Sequence, residues 1–285
     1  MTGLPRLPRL PRREAAGSRL AADVLAAEWL KLRTVRSTWY VLAAVAASVA
    51  LMAVFTLYVG GLWDGLPPER RATLRAARPE QLLLLPVQIC MAVLGVLAFT
   101  SEHATGMART TFTAVPQRGA VLAARAAVVA AVAFAVGQGS GLVTFAAGRL
   151  IIGDRPIPGF ASSLPEEFPG MFAAGLSAVV LAMVGLGAGA VLRSTAGAIT
   201  GVVAYLYVLP RFATALPAPW NARVGSVLLE DLTRQAAGEP PLAVGLGDAP
   251  GGIGLSPAAA LAVMALYVVA ALGAAAVAIA RRDVR

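Results

Sequence analysis

Ser37–Trp63 reads STWYVLAAVAASVALMAVFTLYVGGLW, an uninterrupted run without Asp, Glu, Lys or Arg. A helix needs about 20 mostly apolar residues to cross the hydrocarbon core of a bilayer, since each residue adds about 1.5 Å. The run exceeds that length, and it follows a basic segment. It is also longer than the apolar region of a cleavable signal peptide, so we expect it to remain as a spanning helix.

Five further apolar runs follow, and the sequence therefore predicts an all-α polytopic membrane protein with six transmembrane helices. Composition agrees, because 58% of the residues are apolar and 14% are charged, against about 25% charged in soluble domains. The fifth run is the shortest, with seventeen residues between Arg193 and Arg211. The six spans are predicted at about 38–62, 81–100, 119–148, 170–192, 194–212 and 257–280.

The distribution of Lys and Arg predicts that both termini are cytoplasmic. With the N-terminus inside, 15 of the 24 basic residues fall in cytoplasmic segments, as the positive-inside rule requires. We therefore expect a multi-pass protein of the plasma membrane. One group of arginines in the first outside loop runs against this count: Arg70, Arg71, Arg75 and Arg78.

Two different segments precede the first span. Residues 1–17 contain three Leu-Pro-Arg repeats, and recurrent proline prevents helix formation, so we predict a disordered basic arm. Residues 18–36 are predicted to form an amphipathic helix in the cytoplasmic interface, with a tryptophan at the level of the headgroups. The alternative is that this helix simply continues the first span. Its apolar face has helical spacing and consists of Ala22, Leu25, Trp29 and Leu32.

Two connections between spans carry features of interest. Residues 101–118 form a predicted short cytoplasmic loop, and residues 213–256 form a long extracellular loop. The long loop contains a moderately apolar stretch, 224–229, where short helices could dip into the outer leaflet. Backbone at that depth must be helical, buried in protein or in contact with water.

Three glycine pairs match G-x-x-x-G, a spacing that lets helices approach closely. We interpret them as packing positions inside the subunit, or alternatively as a dimer face. The pairs are Gly137/Gly141, Gly185/Gly189 and Gly197/Gly201.

The sequence lacks the motifs of several enzyme classes. It contains no G-x-x-x-x-G-K-[ST] phosphate-binding loop, and His103 is its only histidine, so we expect no catalytic activity and no cofactor. A net charge of +9 could suggest nucleic acid, but the basic residues lie in short segments beside the apolar runs, so we expect no nucleic-acid partner. No Asp or Glu occupies the middle of an apolar run, which argues against a secondary carrier.

Four segments of the sequence are informative through their order and spacing. The first reads EWLKLRTVRSTW, the second begins with Glu102 and ends with LAAR, the third reads LRSTAGA and the fourth reads RRDV. Together they resemble the permeases of type-two ABC exporters, in particular small actinobacterial ones. Arg125 stands where lysine is more frequent in the family, and the charge is retained. In order, the segments are 28–39, 102–125, 192–198 and 281–284.

The resemblance implies a role for two of these segments. The helix before the first span would be the family's connecting helix, with Trp29, Lys31 and Arg33. The loop that follows the second span would contain the coupling helix, which docks on the ATP-binding subunit. Its expected contact residues are Glu102 and Gly106, which match the family's E-x-x-x-G pattern, and Arg109.

We therefore expect the transmembrane permease subunit of an ATP-driven exporter of an amphipathic small molecule. Because the chain has no phosphate-binding loop of its own, the energy must come from a separate ATP-binding subunit. The resemblance implies two copies of that subunit, a second permease protomer, and a substrate path between the protomers in the lipid bilayer. The alternatives are a membrane scaffold or sensor component that transports nothing, and a gradient-driven secondary carrier.

Overall fold

A computed structural model describes residues 13–71, 73–105, 118–240 and 254–281, and every regular element in these ranges is a helix. A π-helical turn, Ala204–Val208, joins α7 to α8. The helices are α1 Arg13–Thr34, α2 Arg36–Gly65, α3 Pro68–Arg71, α4 Pro79–Thr105, α5 Arg118–Ile152, α6 Leu164–Leu192, α7 Thr195–Val203, α8 Leu209–Thr214, α9 Trp220–Gly225, α10 Leu229–Ala236 and α11 Pro257–Arg281.

Six helices in the described part of the chain are long and apolar enough to cross a membrane, which confirms the predicted number. They are α2, α4, α5, α6, the continuous unit α7–α8, and α11. The fifth unit is the least apolar, with a mean hydropathy of 1.4. The fourth begins at Leu164 rather than near 170 because Ser163 and Glu166 form a capping box, in which the Ser163 amide donates to Glu166 Oε2 at 2.7 Å.

Helix α6 lies at the centre of the bundle and packs against α4, α5 and α11. Its contact with α4 is backbone to backbone. Gly95 of α4 faces the carbonyl of Ala182, and Gly185 of α6 faces the carbonyl of Ala92, so that a Cβ atom at either glycine would collide with main chain. No layer of side chains separates the two helices at this point.

The predicted glycine pairs divide into two groups. Gly137 of α5 lies against Gly175 of α6, and Gly189 lies against Val96 of α4, so the first two pairs contribute to packing inside the subunit. Gly201 has open space where a Cβ would be. The third pair therefore makes no close helix contact within the described subunit.

Helix α1 is separate from the first span. It begins at Arg13, so residues 13–17, which we expected in the disordered arm, are helical; the last proline of the repeats precedes them. Residues 1–12 lie outside the described ranges. A single extended residue, Val35 (φ −79°, ψ 124°), divides α1 from α2, and Trp39 Nε1 donates to the Arg33 carbonyl across this break at 3.0 Å. The interpretation of α1 as a continuation of the first span is therefore wrong.

The predicted long loop contains two short helices, α9 and α10, that turn back along the bundle. The turn between them lies deep, because the Tyr267 hydroxyl donates to the Val227 carbonyl at 3.1 Å and Tyr267 is ten residues into α11, about 15 Å along its axis. Gln235 Nε2 donates to the Ser226 carbonyl at 3.1 Å, and Gln235 Oε1 accepts from the Leu255 amide at 2.5 Å. Side chains thus satisfy the Ser226 and Val227 carbonyls of the turn, which would be needed if the turn entered the hydrocarbon region.

The end of the bundle that carries α10, here called the α10 end, uses several of the arginines that opposed the predicted orientation. Arg78 pairs with Glu167 of α6 at 3.1 Å. Arg155 binds both oxygens of Asp64 at 2.9 Å each. Arg71 donates to three carbonyls at the C-terminus of α2: those of Trp63, Asp64 and Leu66. Arg71 and Arg78, two of the four arginines that ran against the predicted orientation, therefore have structural partners at this end.

Candidate functional site

The opposite end of the bundle, the α1 end, contains a buried ion pair between α1 and α5. Glu28 Oε2 accepts from Arg125 Nε at 2.9 Å, and Glu28 Oε1 accepts from Arg125 Nη2 at 3.3 Å. Both residues are 5% exposed. Lys31 Nζ also donates to Glu28 Oε1 at 2.7 Å. One carboxylate therefore joins two cations from different helices.

The pKa of Glu28 reflects this arrangement. Burial alone would raise the pKa of the carboxyl, but the hydrogen bonds and charges of Arg125 and Lys31 outweigh it, so the pKa lies below its ordinary value. Glu28 is thus a carboxylate at neutral pH, and the ion pair is present.

Packing around the pair holds it in one geometry. Val24, one turn before Glu28, is buried against Val121 and Ala124 of α5, and Arg125 comes directly after Ala124. The two contacts lie one above the other on both helices, as positions four residues apart do. The Arg125 guanidinium also lies over the ring of Phe99 in α4, 5.9 Å from its centroid. Helix α1 is therefore fixed to α5 and, through Arg125, to the C-terminal part of α4.

A cleft with about 160 Å³ of water-accessible space opens beside the ion pair, between α1, α2, α4 and α5. Its described walls are mostly apolar, and its polar lining residues are Glu28, Lys31, Ser37, Thr38, Ser101 and Arg125. The cleft leaves space between α1 and α4, so that in the described region α1 is joined to the bundle mainly by its contact with α5.

The turn between α6 and α7 belongs to the same end. Arg193 ends α6 in the left-handed region with φ 50°, and Ser194 then caps α7 by accepting from the Gly197 amide at 3.2 Å. Thr195 Oγ1 donates to Thr100 Oγ1 of α4 at 2.9 Å. A turn of two residues thus connects two spans and is attached to the helix that leads into the loop 106–117.

The predicted connecting-helix residues differ in their surroundings. Lys31 belongs to the ion-pair cluster. Trp29 is 47% exposed and Arg33 is exposed, and neither packs against the bundle. The face of α1 that contacts protein carries Val24 and Glu28. The apolar face predicted from spacing is divided, because Leu25 is 39% exposed whereas Leu32 is half-buried against the core of the bundle. The exposed part, with Leu25 and Trp29, is suitable for contact with lipid.

The predicted coupling residues lie at the margin of the described structure. Glu102 is in the last turn of α4, but its side chain lies outside the described residues. Gly106 and Arg109 fall in 106–117, which is also outside them. The described structure therefore places the helices on both sides of this loop, α4 and α5, at the α1 end.

Glu28 and Arg125 both lie in the segments that carry the sequence resemblance, but no role was predicted for either residue. The available signal was chemical: a carboxylate and a guanidinium placed at the edges of apolar segments must find partners if they are buried. Their pairing across 97 positions follows only from the tertiary structure.

No model of a known protein family matches this chain, and no curated protein is detectably similar to it in sequence. Among the residues that the structure describes, no group of three or more His, Cys, Asp or Glu could hold a metal ion.

Proposed function

We propose that this chain is the membrane-spanning subunit of an ATP-driven exporter of the type-two ABC kind, which moves an amphipathic small molecule across the plasma membrane. A separate ATP-binding subunit, present in two copies, supplies the energy, and a second permease protomer completes the path. The six apolar helices and the lack of a phosphate-binding loop in the chain are consistent with this assignment.

The observation that carries the proposal is the buried attachment of α1 to α5. A subunit driven by a soluble partner needs a surface element that transmits displacement to the spanning helices. Helix α1 has an outward face and an inward face, and the inward face is bound to α5 by the Glu28–Arg125 pair. Displacement of α1 by a partner would therefore move the N-terminal end of a spanning helix directly.

The loop between α4 and α5 supports the same proposal. Both helices that flank it reach the α1 end, and Arg125 is seven residues from the start of α5 at Arg118. A partner that contacts this loop and α1 would act on one assembly of three helices. Glu102, Gly106 and Arg109 remain the proposed contact residues of the loop, on the strength of the sequence resemblance.

The first test is a mild-detergent pull-down of the chain from its native membrane, followed by mass spectrometry. We expect a soluble subunit with a phosphate-binding loop in stoichiometric amount. In the reconstituted complex, Glu102→Ala is expected to abolish substrate-stimulated ATP turnover while membrane insertion stays normal. Glu69→Ala, which removes an exposed carboxylate of α3, is the matched control. Reproducible absence of any such subunit from intact preparations would contradict the proposal.

One observation favours a second candidate, a gradient-driven carrier. Asp231 of α10 is 4% exposed and is therefore shielded from bulk solvent. Carriers often place ionisable groups within the membrane-spanning part of the protein. Proteoliposomes that contain the purified chain alone distinguish the two functions. Uptake driven by a proton or sodium gradient without ATP would support the carrier, and its absence alongside ATP-dependent transport by the complex would support the exporter.

A further inference from the structure

A second cleft, with about 280 Å³ of water-accessible space, lies at the α10 end between α4, the α7–α8 unit and the turn of α9–α10. Its apolar walls are formed mainly by leucines from these three elements: Leu85, Leu206, Leu228 and Leu229. Leu206 is eight residues before the end of the α7–α8 unit, about 12 Å along the axis. The cleft is therefore an apolar space that reaches into the spanning part of the protein.

The charged residues that line this cleft differ in their exposure to solvent. Asp231 lies in the first turn of α10 and is 4% exposed. Its neighbours Glu230 and Arg211 also line the cleft, and both are exposed. The exposed Glu230 and Arg211 carry opposite charges, and the buried ionisable group is the acid Asp231, which also interacts with other groups of the protein. An acidic group in the interior of the cleft favours a cation over an anion.

Aromatic and amide groups add further means of recognition. Tyr205 lines the cleft and packs edge to face with Tyr267, with ring centroids 6.0 Å apart. The Tyr205 hydroxyl is buried and has no well-aligned hydrogen bond among the described residues, with the Tyr267 hydroxyl and the Leu229 backbone as polar neighbours. Gln88 is 2% exposed and donates to Ser177 Oγ at 2.9 Å, which places a fixed amide in the same wall.

A buried carboxylate, a tyrosine ring and apolar walls are the groups that bind organic cations, because the cation gains charge attraction, contact with the ring and removal of its apolar groups from water. We propose that this cleft binds amphipathic organic cations, with Asp231 as the charge partner and Tyr205 as the aromatic contact. Interpreting the cleft as a substrate site rests on the proposed function, and the inference names the substrate class of that transporter.

Binding can be measured without transport. The probe is tritiated tetraphenylphosphonium, added to the purified full-length chain in detergent and followed by scintillation proximity. Neutral triphenylphosphine oxide, which has similar rings but no charge, serves as the competitor. Asp231→Asn removes the charge with little change of shape, and Glu69→Gln, which removes an exposed carboxylate of α3 that does not line the cleft, is the matched control. Thermal unfolding of each variant verifies that it is folded.

We expect saturable binding to the wild type and to Glu69→Gln, weak competition by the neutral compound, and at least about a tenfold loss of affinity in Asp231→Asn, since truncation of a buried charge partner has a large effect on binding. Absence of saturable binding to the wild type, or equal affinity of the two variants, would overturn the proposal.

A second pair of variants keeps the test valid if Asp231→Asn does not fold. Tyr205→Phe retains the ring and is expected to retain most of the affinity, whereas Tyr205→Leu removes the ring and is expected to lose several-fold, the range of a cation–π contact. Equal affinity of these two variants would contradict the aromatic contact. Because no ATP-binding subunit is present, failure of phosphonium binding would leave the exporter assignment standing, and a failed pull-down would leave the cation site standing.

Discussion

Loss of the Glu28–Arg125 pair should release α1 from the bundle. Arg125→Gln keeps a long polar side chain but leaves the Glu28 carboxylate with Lys31 alone. Both members of the pair are 5% exposed, and removal of one partner from a buried ion pair costs about 3–5 kcal/mol. Among the described residues, the remaining apolar contacts of α1 are modest: the small cluster of Val24, Val121 and Ala124 and the half-buried Leu32 against the core. The cost should therefore appear as local undocking of α1 rather than as unfolding of the six-helix bundle.

Hydrogen–deuterium exchange in lipid nanodiscs measures this undocking. A loss of about 3 kcal/mol corresponds to roughly a hundredfold faster exchange of the α1 amides, at about 1.4 kcal/mol per factor of ten. Amides of the central helix α6 should keep their protection. Arg33→Gln, which removes an exposed arginine from the same helix, is the control and should leave α1 unchanged.

A double-mutant cycle separates the pair from its members. Glu28→Gln alone should also loosen α1, while Glu28→Gln combined with Arg125→Gln should cost clearly less than the sum of the single variants, because no uncompensated charge remains buried. If Arg125→Gln changed α1 exchange by no more than Arg33→Gln does, the ion pair would not be what holds α1, and the transmission argument would fail with it.

Three further outcomes are expected. The folded-state pKa of Glu28 is lowered, so the contribution of this carboxylate to α1 docking is complete above its unfolded pKa of about 4.3. That contribution is lost as the pH falls through the folded-state pKa. Hydrogen–deuterium exchange followed from pH 7 downwards should therefore show loosening of α1 in the wild type and no such transition in Glu28→Gln. Gly185→Ala places a Cβ against the Ala92 carbonyl and should lower stability by about 1–3 kcal/mol, whereas Gly201→Ala meets open space and should be neutral or slightly stabilising in the same thermal melts. Gln235→Leu removes two hydrogen bonds that hold the turn of α9–α10 and should cost about 1–3 kcal/mol locally, seen as faster trypsin cleavage in this segment; an unchanged cleavage rate would show that packing alone holds the turn.

The sequence was sufficient for the number of spans because the bilayer imposes a length on every apolar run. It was less informative about where helices end. Leu164 lies outside the apolar run, and the fourth helix starts there because of the polar capping box of Ser163 and Glu166. The start of α1 at Arg13 similarly depends on helix-forming residues that follow the proline repeats.

The candidate site was only partly predictable. Lys31 was selected from its segment, but its partner Glu28 and the distant Arg125 acquire their role through burial, which a single sequence does not reveal. The depth of the α9–α10 turn is a similar case, since it depends on the hydroxyl of Tyr267 and the amide of Gln235 reaching carbonyls from other elements. Pairings between distant segments are tertiary facts, whereas span length and helix period are local ones.

The backbone contact between α4 and α6 has a mechanical consequence. Two helices that touch through main-chain atoms cannot slide past each other without collision, so α4 and α6 form a rigid frame, and α5 joins it through Gly137 and Gly175. In contrast, only 22% of the apolar stretch of α2 and 17% of that of α7–α8 are buried, so these two are outer members of the bundle. Helix α11 is also only 17% buried, but Gly187 of α6 lies against its Ala271 carbonyl and ties it to the frame. Because α1 is bound to the frame through Arg125 and is separated from α2 by an extended residue, a force applied to α1 would act on the frame, and α2 and α7–α8 would move relative to it.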